Sequence, residues 1–337
     1  MKNLLDLSLE ELQEEFKGLG LPAFRAKQIY SWVHHKLTFD FEKMSDLPKL
    51  LRSQLSERFN LRILSIKKIS VSSDGTKKYL MELNDGNLIE SVLLEDESGR
   101  KTICLSTQVG CPLDCTFCAT GSMGFKRNLK PSEILGQVYR IAEENTDISN
   151  LVFMGMGEPF LNYDNVLKSV RILTSTAGPN FGQRKITVST CGIPDAIRAF
   201  AREGLQVRLA VSLNSADDKV RSSLMPINRK YGLAKLMDAI KYYIKNTTRR
   251  VTLEYILLDG INDREEDLQK LIRLCQNLSV NLNLIPFNRV EKKYKPSPAT
   301  AVNRFIEALS EARINVHARR RRGEDIQAAC GQLAAHQ

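Results

Sequence analysis

The sequence contains no long apolar run. No stretch approaches the roughly 20 consecutive apolar residues that a membrane-spanning helix requires, and the N-terminal segment turns acidic before the apolar core of a signal peptide could form. We therefore expect a soluble, cytoplasmic protein with no membrane partner. Apolar residues still make up 42% of the 337 residues, which is ample for a buried core and allows one large domain with a smaller one attached.

Cysteines are few, and their number excludes a disulfide framework. The chain has seven, so we expect reduced thiols in a reducing compartment. Three of them, Cys111, Cys115 and Cys118, follow the pattern C-x3-C-x2-C. No further cysteine or histidine follows within the about three to five residues that would complete a zinc site. The spacing favours a metal group that uses three protein ligands and leaves one position open.

A cubane iron–sulfur cluster fits three thiolates of this kind. Each of its four irons takes a terminal ligand, so three cysteines leave one iron free to bind a small molecule and pass it an electron. The C-x3-C-x2-C pattern resembles the signature of radical S-adenosylmethionine (SAM) enzymes, in which SAM chelates the open iron through its amino and carboxylate groups. The alternatives are a zinc knuckle that lacks one ligand and three structural thiols.

The chain has an excess of positive charge. Its formal net charge is +10 and its pI is about 9.2, which suits a polyanionic partner such as RNA. The densest basic run is Arg319–Arg322. Four consecutive arginines repel one another unless an anion lies close, so we take this run as a candidate RNA contact. A solvated surface is the simpler alternative.

The first 98 residues differ in pattern from the rest of the chain. Residues 1–60 predict short helices, with a capping box at Ser8, and we expect a helical accessory domain. Residues 61–98 predict a β extension. Within it, apolar alternation over 79–83 and 87–94 flanks the turn at Asp85-Gly86, which predicts a hairpin.

Strands and helices alternate from about residue 99 to the end of the chain. Six β-α units in series predict a parallel sheet covered by helices. Because six units are fewer than the eight of a closed barrel, we expect an α/β fold with a partial (βα)6 TIM-like barrel over 99–337, ending in a C-terminal catalytic segment. The predicted strands are 102–106, 150–154, 185–190, 206–213, 251–257 and 281–286, and the predicted helices are 131–145, 163–175, 194–203, 232–246, 264–277 and 299–312.

Polar residues follow four of the predicted strands. In such folds the chemistry lies on the loops after the carboxyl ends of the strands, and the three-cysteine loop follows the first strand. Each polar set alone could be a common cap, but several sets around one opening favour a bound ligand. The candidates are Gly157, Glu158, Ser189, Ser212, Leu213, Asn214 and Asn288.

Several motifs together resemble the RlmN/Cfr family of radical SAM RNA methyltransferases, over nearly the whole chain. Cys104 and Cys330 by themselves would be taken as small buried apolar residues. Their setting is more specific, because Cys104 precedes the loop by seven residues and Cys330 lies in Asp325-Ile-Gln-Ala-Ala-Cys-Gly-Gln-Leu333. The other motifs are Gln108-Val-Gly-Cys111, Gly-Met-Gly-Glu-Pro at 155–159 and Leu224-Met-Pro-Ile-Asn228.

The resemblance implies a reaction and a role for each thiol. Cys330 would take a methyl group from one SAM as S-methylcysteine. A second SAM, cleaved at a 4Fe-4S cluster on Cys111, Cys115 and Cys118, would generate the radical that activates this methyl group. The methylene would then join to adenine, and Glu90 would accept the displaced proton. Cys104 would resolve the protein–RNA adduct and leave a disulfide. The strand-end candidates would bind SAM.

The resemblance also implies the substrates and partners. The substrates are C2 of adenine 2503 in 23S rRNA and C2 of adenine 37 in tRNA. The partner is an external one-electron donor such as flavodoxin, and the enzyme is expected to be a monomer. Methylation of C8 of the same rRNA adenine, as in Cfr, is one alternative, although Gly-Met-Gly-Glu followed by Pro159-Phe-Leu-Asn162 looks more like the C2 enzymes. A non-enzymatic, zinc-stabilised RNA-binding protein is the alternative from another class.

Overall fold

The computed structural model describes residues 1–290 and 293–335. A helical N-terminal region packs against helices of the following region, which is built on one large sheet. In the N-terminal region α1 begins at the predicted capping box, where Ser8 Oγ accepts from the Glu11 amide and the Glu11 carboxylate accepts from the Ser8 amide. The elements of this region are β1 (Lys2–Asn3), α1 (Leu9–Gly18), α2 (Ala23–His34), α3 (Lys49–Arg58) and β2 (Phe59–Asn60).

The predicted β extension forms three antiparallel strands. They are β3 (Ser65–Val71), β4 (Lys77–Glu82) and β5 (Leu88–Glu95). The Asp85-Gly86 turn joins β4 to β5 as predicted, with Gly86 at φ 80°. β5 pairs with the first strand of the following region, so the extension continues the main sheet without a break.

The alternating part of the chain confirms the α/β class. Its parallel strands are β6 (Lys101–Cys104), β9 (Ile148–Phe153), β10 (Ile186–Thr190), β11 (Arg208–Ser212), β12 (Val251–Leu257), β13 (Val280–Pro286) and β14 (Asn315–Ala318). Its helices are α4 (Ala119–Ser122), α5 (Pro131–Ala142), α6 (Tyr163–Thr174), α7 (Pro194–Arg202), α8 (Asp218–Leu224), α9 (Ile227–Lys230), α10 (Leu233–Thr247), α11 (Glu265–Cys275) and α12 (Ala299–Glu311). A small hairpin of β7 (Gln108–Gly110) and β8 (Phe125–Asn128) brackets the cysteine loop.

The main sheet has ten strands in the order β14-β13-β12-β11-β10-β9-β6-β5-β4-β3, and it is open at both edges. The six predicted parallel strands are all present: one has the predicted bounds, three are one to three residues shorter than predicted, and two are one residue longer. β14 is a seventh parallel strand that we did not predict, because its four residues are mostly exposed and show no apolar pattern. No helix among the described residues is long and apolar enough to cross a membrane.

The N-terminal region is tied to the sheet domain by buried polar contacts. The Asp6 carboxylate accepts from the Ser132 amide at 2.8 Å, at the first turn of α5. His34 packs against the ring of Tyr139, and burial lowers the pKa of this histidine to about 3. A neutral imidazole therefore fills this junction at every physiological pH, so the docking of the two parts does not change with its protonation.

The C-terminal segment (323–335) folds back over the carboxyl edge of the sheet and reaches the turn between β3 and β4. The Gly323 amide donates to Asp74 at 2.9 Å. Asp325 accepts from the Ser72 hydroxyl at 2.5 Å and from the Ser73 amide at 3.1 Å. Burial opposes ionisation of Asp74, but hydrogen bonds from Thr76, Gly323 and Ser72 outweigh it and lower its pKa to about 2.

We predict that Asp74→Asn loosens the C-terminal segment. Because the pKa of Asp74 is lowered in the folded state, its contribution is complete above the ordinary pKa near 3.9 and is lost as the pH falls through about 2. Loss of about 1 kcal/mol of hydrogen bonding should speed amide exchange in 323–335 about fivefold at pH 7. Hydrogen exchange read by mass spectrometry measures this, with Asp238→Asn on α10 as the control, and equal exchange in both variants would contradict it.

Candidate active site

Two adjoining cavities open at the carboxyl ends of the parallel strands. The inner cavity, of about 140 Å³, is lined by the three cysteines of the loop and by the strand-end residues. The outer cavity, of about 560 Å³, is lined by Cys104 and by the arginine run. Cys330 and Arg319 belong to both linings, so they form the wall between them. Together the cavities fall in the range of about 300–1,000 Å³ that is usual for ligand pockets.

The cysteine loop is held in a tight crossing between β7 and β8. Gly110 has φ 73°, and a Cβ atom there would lie 1.8 Å from the Gly124 carbonyl oxygen. A Cβ on Gly121 would lie 3.0 Å from the Cys115 amide nitrogen. These glycines are therefore required for the close approach of the backbone that turns the loop cysteines into the inner cavity.

The thiols of this loop suit an iron–sulfur cluster better than a single ion. In the described part of the chain, no three Cys, His, Asp or Glu side chains converge on a point that could hold one metal ion. A cubane bonds each cysteine to a different iron, so its ligands need not converge. Burial is the main cause that raises the pKa of Cys111 and Cys118, so a bound cation is needed to favour their thiolates.

Glu158 is buried beside the loop and its carboxylate is oriented by the backbone. It accepts from the Phe160 amide at 2.9 Å and from the Cys191 amide at 2.7 Å. Burial raises the pKa of Glu158, and these hydrogen bonds oppose that shift. A carboxylate held in this way in a low-dielectric site is a good acceptor for an ammonium group.

Four of the other strand-end candidates also line the inner cavity, namely Gly157, Ser189, Ser212 and Asn214. Leu213 does not, since its side chain is fully buried in the core. Asn288 lies in the lining of the outer cavity, where its Nδ2 donates to the Cys330 carbonyl at 3.3 Å.

Glu254 on β12 is a site residue that sequence reasoning missed. Its Oε2 accepts from Ser189 Oγ at 2.7 Å and from Ser212 Oγ at 3.4 Å. Its Oε1 is buried with no hydrogen-bond partner among the described residues, and the side chain lines the inner cavity. The available signal was a lone carboxylate within the apolar strand 251–257.

Arg221 is a second missed residue, and it explains the Leu224–Asn228 motif. Its guanidinium is completely buried behind the cysteine loop and donates to the carbonyls of Leu213, Ser212 and Cys191 and to Asn228 Oδ1. Burial lowers the pKa of Arg221, and the nearby thiols of Cys191 and Cys115 act against this effect. The motif thus places a cation next to the thiols.

Cys104 and Cys330 meet in the outer cavity as free thiols. Cys104 lies between Val92 and Val152 in the sheet, and burial, followed by the nearby Cys330, raises its pKa to about 12. Cys330 is exposed, and Nη1 of Arg319 lies 3.6 Å from its Sγ. Burial works against the charge of Arg319, but the two thiols and Glu254 outweigh it and raise the pKa of the guanidinium.

Glu90 lies beside the outer cavity rather than in its lining. It is buried on β5, two residues from Val92, which lines that cavity. One carboxylate oxygen lies 3.0 Å from Lys78 Nζ, and the other accepts from the Ala334 amide at 2.9 Å. The carboxylate thus joins the β extension to the C-terminal segment that carries Cys330.

The arginine run lines the outer cavity, and part of its charge is paired. Arg320 forms an ion pair with Glu97, and Arg321 lies 3.6 Å from the Glu324 carboxylate. Arg322 donates to the backbone carbonyl of Glu95. These acidic side chains and the carbonyl oxygen reduce the repulsion expected among the arginines. Arg319 differs from its three neighbours, because its guanidinium lies against Cys330.

Comparison with known proteins places the chain in a family. The model of the radical SAM superfamily matches residues 105–274, and that of the ribosomal RNA large subunit methyltransferase N-terminal domain matches residues 2–61. The chain is 47% identical to a probable dual-specificity RNA methyltransferase RlmN of Syntrophomonas wolfei, over 98% of this chain and 97% of the relative. It is 48% identical to the protein of the same name from Thermotoga maritima, over 99% of this chain and 97% of that one.

A solved structure agrees with these relatives. The crystal structure of a radical SAM methyltransferase from Sphaerobacter thermophilus superimposes with a TM-score of 0.95 at 43% identity, and the match covers 100% of both chains. The likeness therefore includes the N-terminal helices, the β extension and the C-terminal segment as well as the sheet.

We predict that Gly157→Ala destabilises the protein. Gly157 has φ 95°, and a Cβ there would lie 2.5 Å from Gln108 Cβ. Strain at this φ and the clash should together lower the free energy of unfolding by about 2 kcal/mol or more. Urea denaturation measures the change. Gly182→Ala is the matched control, because its Cβ would meet only Lys185 Cγ at 3.6 Å. Equal stability of the two variants would contradict the prediction.

Proposed function

The chain belongs to the RlmN family of radical SAM methyltransferases, and we propose that it methylates C2 of adenine 2503 in 23S rRNA and C2 of adenine 37 in tRNAs. The observation that carries this proposal is the position of Cys330. Its thiol lies in the wall between the inner cavity, with the three-cysteine loop, and the outer cavity, with Cys104 and the arginines. A methyl carrier between a SAM site and an RNA site needs this position.

The inner cavity supplies the groups that a cluster and SAM require. Cys111, Cys115 and Cys118 would hold the 4Fe-4S cluster, which when bound supplies the electron that cleaves SAM. Glu158 would receive the SAM ammonium group, and Gly157, with no side chain, lets the backbone come close to it. Ser189, Ser212 and Asn214 offer polar atoms along the same wall. Leu213 would contribute only backbone atoms, and Asn288 would act from the outer cavity.

The chemistry of adenine requires a protein-bound carrier. The SAM methyl group is electrophilic, and C2 lies between two ring nitrogens and is electron-poor, so direct polar transfer between them is disfavoured. Cys330 provides another route. Its sulfur attacks the methyl carbon of SAM in an ordinary displacement, and S-adenosylhomocysteine is the leaving group. Arg319 lies 3.6 Å from this sulfur and can stabilise its thiolate before the transfer. A second SAM is then used in the same turnover.

Two further residues complete the cycle. After the activated methylene group has joined to C2, Glu90 takes the C2 proton, which requires its carboxylate to release either Lys78 or the Ala334 amide. The adduct also gives up one electron, which the cluster would accept. The Cys104 thiol then loses its proton and its sulfur attacks Cys330 Sγ. The bond between that sulfur and the methylene carbon breaks, the carbon keeps the electron pair and takes up a proton to become the methyl group, and the two cysteines are left as a disulfide. An external reductant must return both thiols. Burial keeps Cys104 protonated until this step.

The remaining parts of the proposal concern partners. RNA would contact the helical N-terminal region and the arginines at the mouth of the outer cavity, and the family match of residues 2–61 supports the first of these. A flavodoxin-like protein would donate the electron, and the enzyme would act as a monomer in the cytoplasm. Membership of an enzyme family is inconsistent with the alternative of a non-enzymatic zinc protein.

We predict that Cys330→Ala and Cys104→Ala fail at different steps. Cys330→Ala removes the methyl carrier, so neither methylated protein nor an RNA adduct should form. Cys104→Ala keeps the carrier but lacks the resolving thiol, so it should accumulate RNA bound through Cys330. Intact-mass spectrometry with and without nuclease measures both outcomes. Cys275→Ala, on α11, is the control and should behave as the wild type.

Two results would contradict these assignments. Free product from Cys104→Ala at the normal rate would remove the resolving role, and adduct in Cys330→Ala would remove the carrier role. The site of methylation is read in the same reaction from substrate RNA with deuterium at C2 or at C8 of adenine. Loss of the C2 label supports the proposal, whereas loss of the C8 label assigns the Cfr-type reaction instead.

We predict that RNA binding depends on salt and on the arginine run. Log affinity should fall linearly with log salt, by about 0.7–0.9 for each phosphate contacted. Arg320→Gln with Arg321→Gln should reduce this slope in a filter-binding titration. The matched control is Arg171→Gln with Arg198→Gln, two arginines that are also paired with acids but lie on α6 and α7. An unchanged slope would mean that the run is only solvated surface.

A further inference from the structure

A fourth thiol, Cys191, lies in the inner cavity with the three cysteines of the loop. It follows β10 directly, and its side chain packs in the same small cluster as Cys115. Both of its backbone groups are fixed, since its amide donates to Glu158 at 2.7 Å and its carbonyl accepts from Arg221 at 2.7 Å. The reaction proposed above gives this thiol no role.

The surroundings of Cys191 differ from those of an ordinary core cysteine. Cys275 is of the ordinary kind: it is 2% exposed and packs on α11 within the main hydrophobic core. Cys191 is half-buried and packs instead in a small separate cluster that contains all three loop cysteines. It is therefore placed with the metal-ligating thiols.

The charge distribution of the cavity allows a fourth anionic ligand. The guanidinium of Arg221 is fully buried, and it hydrogen-bonds to carbonyl and amide oxygens while forming no salt bridge within the described residues. An uncompensated buried cation is costly. Thiolates around an iron–sulfur cluster would supply the missing negative charge. Cys191 is close to this arginine, because its carbonyl group accepts a hydrogen bond from Arg221.

We propose that Cys191 is a displaceable fourth ligand of the cluster, which binds the iron left open by the loop cysteines whenever SAM is absent. This inference rests on the cluster of the proposed function. A second feature of the cavity supports exchange at this position. Glu254 Oε1 lines the same cavity and is buried without a hydrogen-bond partner in the described part of the chain, so a polar group of an entering ligand can bind there.

The exchange is a ligand substitution without a change of oxidation state. On binding iron, the Cys191 thiol gives its proton to solvent and forms a sulfur–iron bond. When SAM arrives, that bond breaks, the amino and carboxylate groups of SAM take the iron, and the thiolate regains a proton. Glu158 links the state with Cys191 on the iron to the state with SAM on the iron. Its carboxylate accepts from the Cys191 amide, and the same carboxylate would bind the SAM ammonium group.

The experiment compares the anaerobically reconstituted wild-type protein with Cys191→Ser and Cys191→Ala. Iron loss to a chelator is followed without and with SAM, and SAM affinity is measured by equilibrium dialysis. Without SAM, both variants should lose iron at least threefold faster than the wild type, and saturating SAM should remove the difference. The variants should also bind SAM severalfold more tightly, because no protein ligand competes. Cys275→Ala is the control and should match the wild type.

Mössbauer spectra of the ⁵⁷Fe-loaded wild type test the same inference without any variant. In the absence of SAM, all four irons should show sulfur coordination, and SAM should convert one of them to nitrogen and oxygen coordination. A distinct iron already present without SAM, together with equal chelation rates in wild type and variants, overturns the inference while leaving the cluster in place. Wild-type protein with iron and sulfide far below about four each would instead overturn the cluster of the proposed function.

Discussion

The burial of three thiols at one strand end is the constraint on which the rest of the site depends. Burial raises the pKa of Cys111 and Cys118, so their thiolates need positive charge close by. Arg221 lies close enough to Cys115 and Cys191 for its charge to act on these thiols, and a cluster would supply the charge that Cys111 and Cys118 need. The Leu224–Asn228 motif, more than a hundred residues from the loop, serves this arrangement, because Asn228 Oδ1 accepts from Arg221 and Met225 lines the inner cavity.

A second constraint is that one thiol must face two compartments. Cys118 of the loop also borders both cavities, but as a proposed cluster ligand it would not be free to carry a methyl group. The C-terminal segment provides it by crossing the sheet edge, with the Ala119 amide donating to the Gly331 carbonyl and Thr120 Oγ1 to the Leu333 carbonyl. The helix after the cysteine loop therefore positions the segment that carries Cys330.

Sequence reasoning succeeded where a feature can be predicted from neighbouring residues in the chain. The parallel strands were visible as apolar runs, and residues such as Glu158 and Ser189 were found because carboxyl ends of parallel strands meet at one edge. It failed where the partner is distant. Arg221 and Glu254 were missed because a single charge on a helix or strand carries no local sign of its burial, and Arg319 looked like its three neighbours although it alone turns towards Cys330.

The way the C-terminal segment is held suits the cycle in which Cys330 would take part. Several of its contacts with the β extension are hydrogen bonds at part-buried or exposed positions, such as those of Asp325 with Ser72 and of Lys78 with the Gln327 carbonyl. Bonds of this kind open at lower free energy than those of core strands. Cys104 lies on a strand inside the main sheet and Cys330 lies on this segment, so the proposed cycle would ask for movement of Cys330 rather than of Cys104. The bond from the Ala334 amide to Glu90 is buried, and if the proposed base released it rather than Lys78, the segment that carries Cys330 would be loosened in the same step.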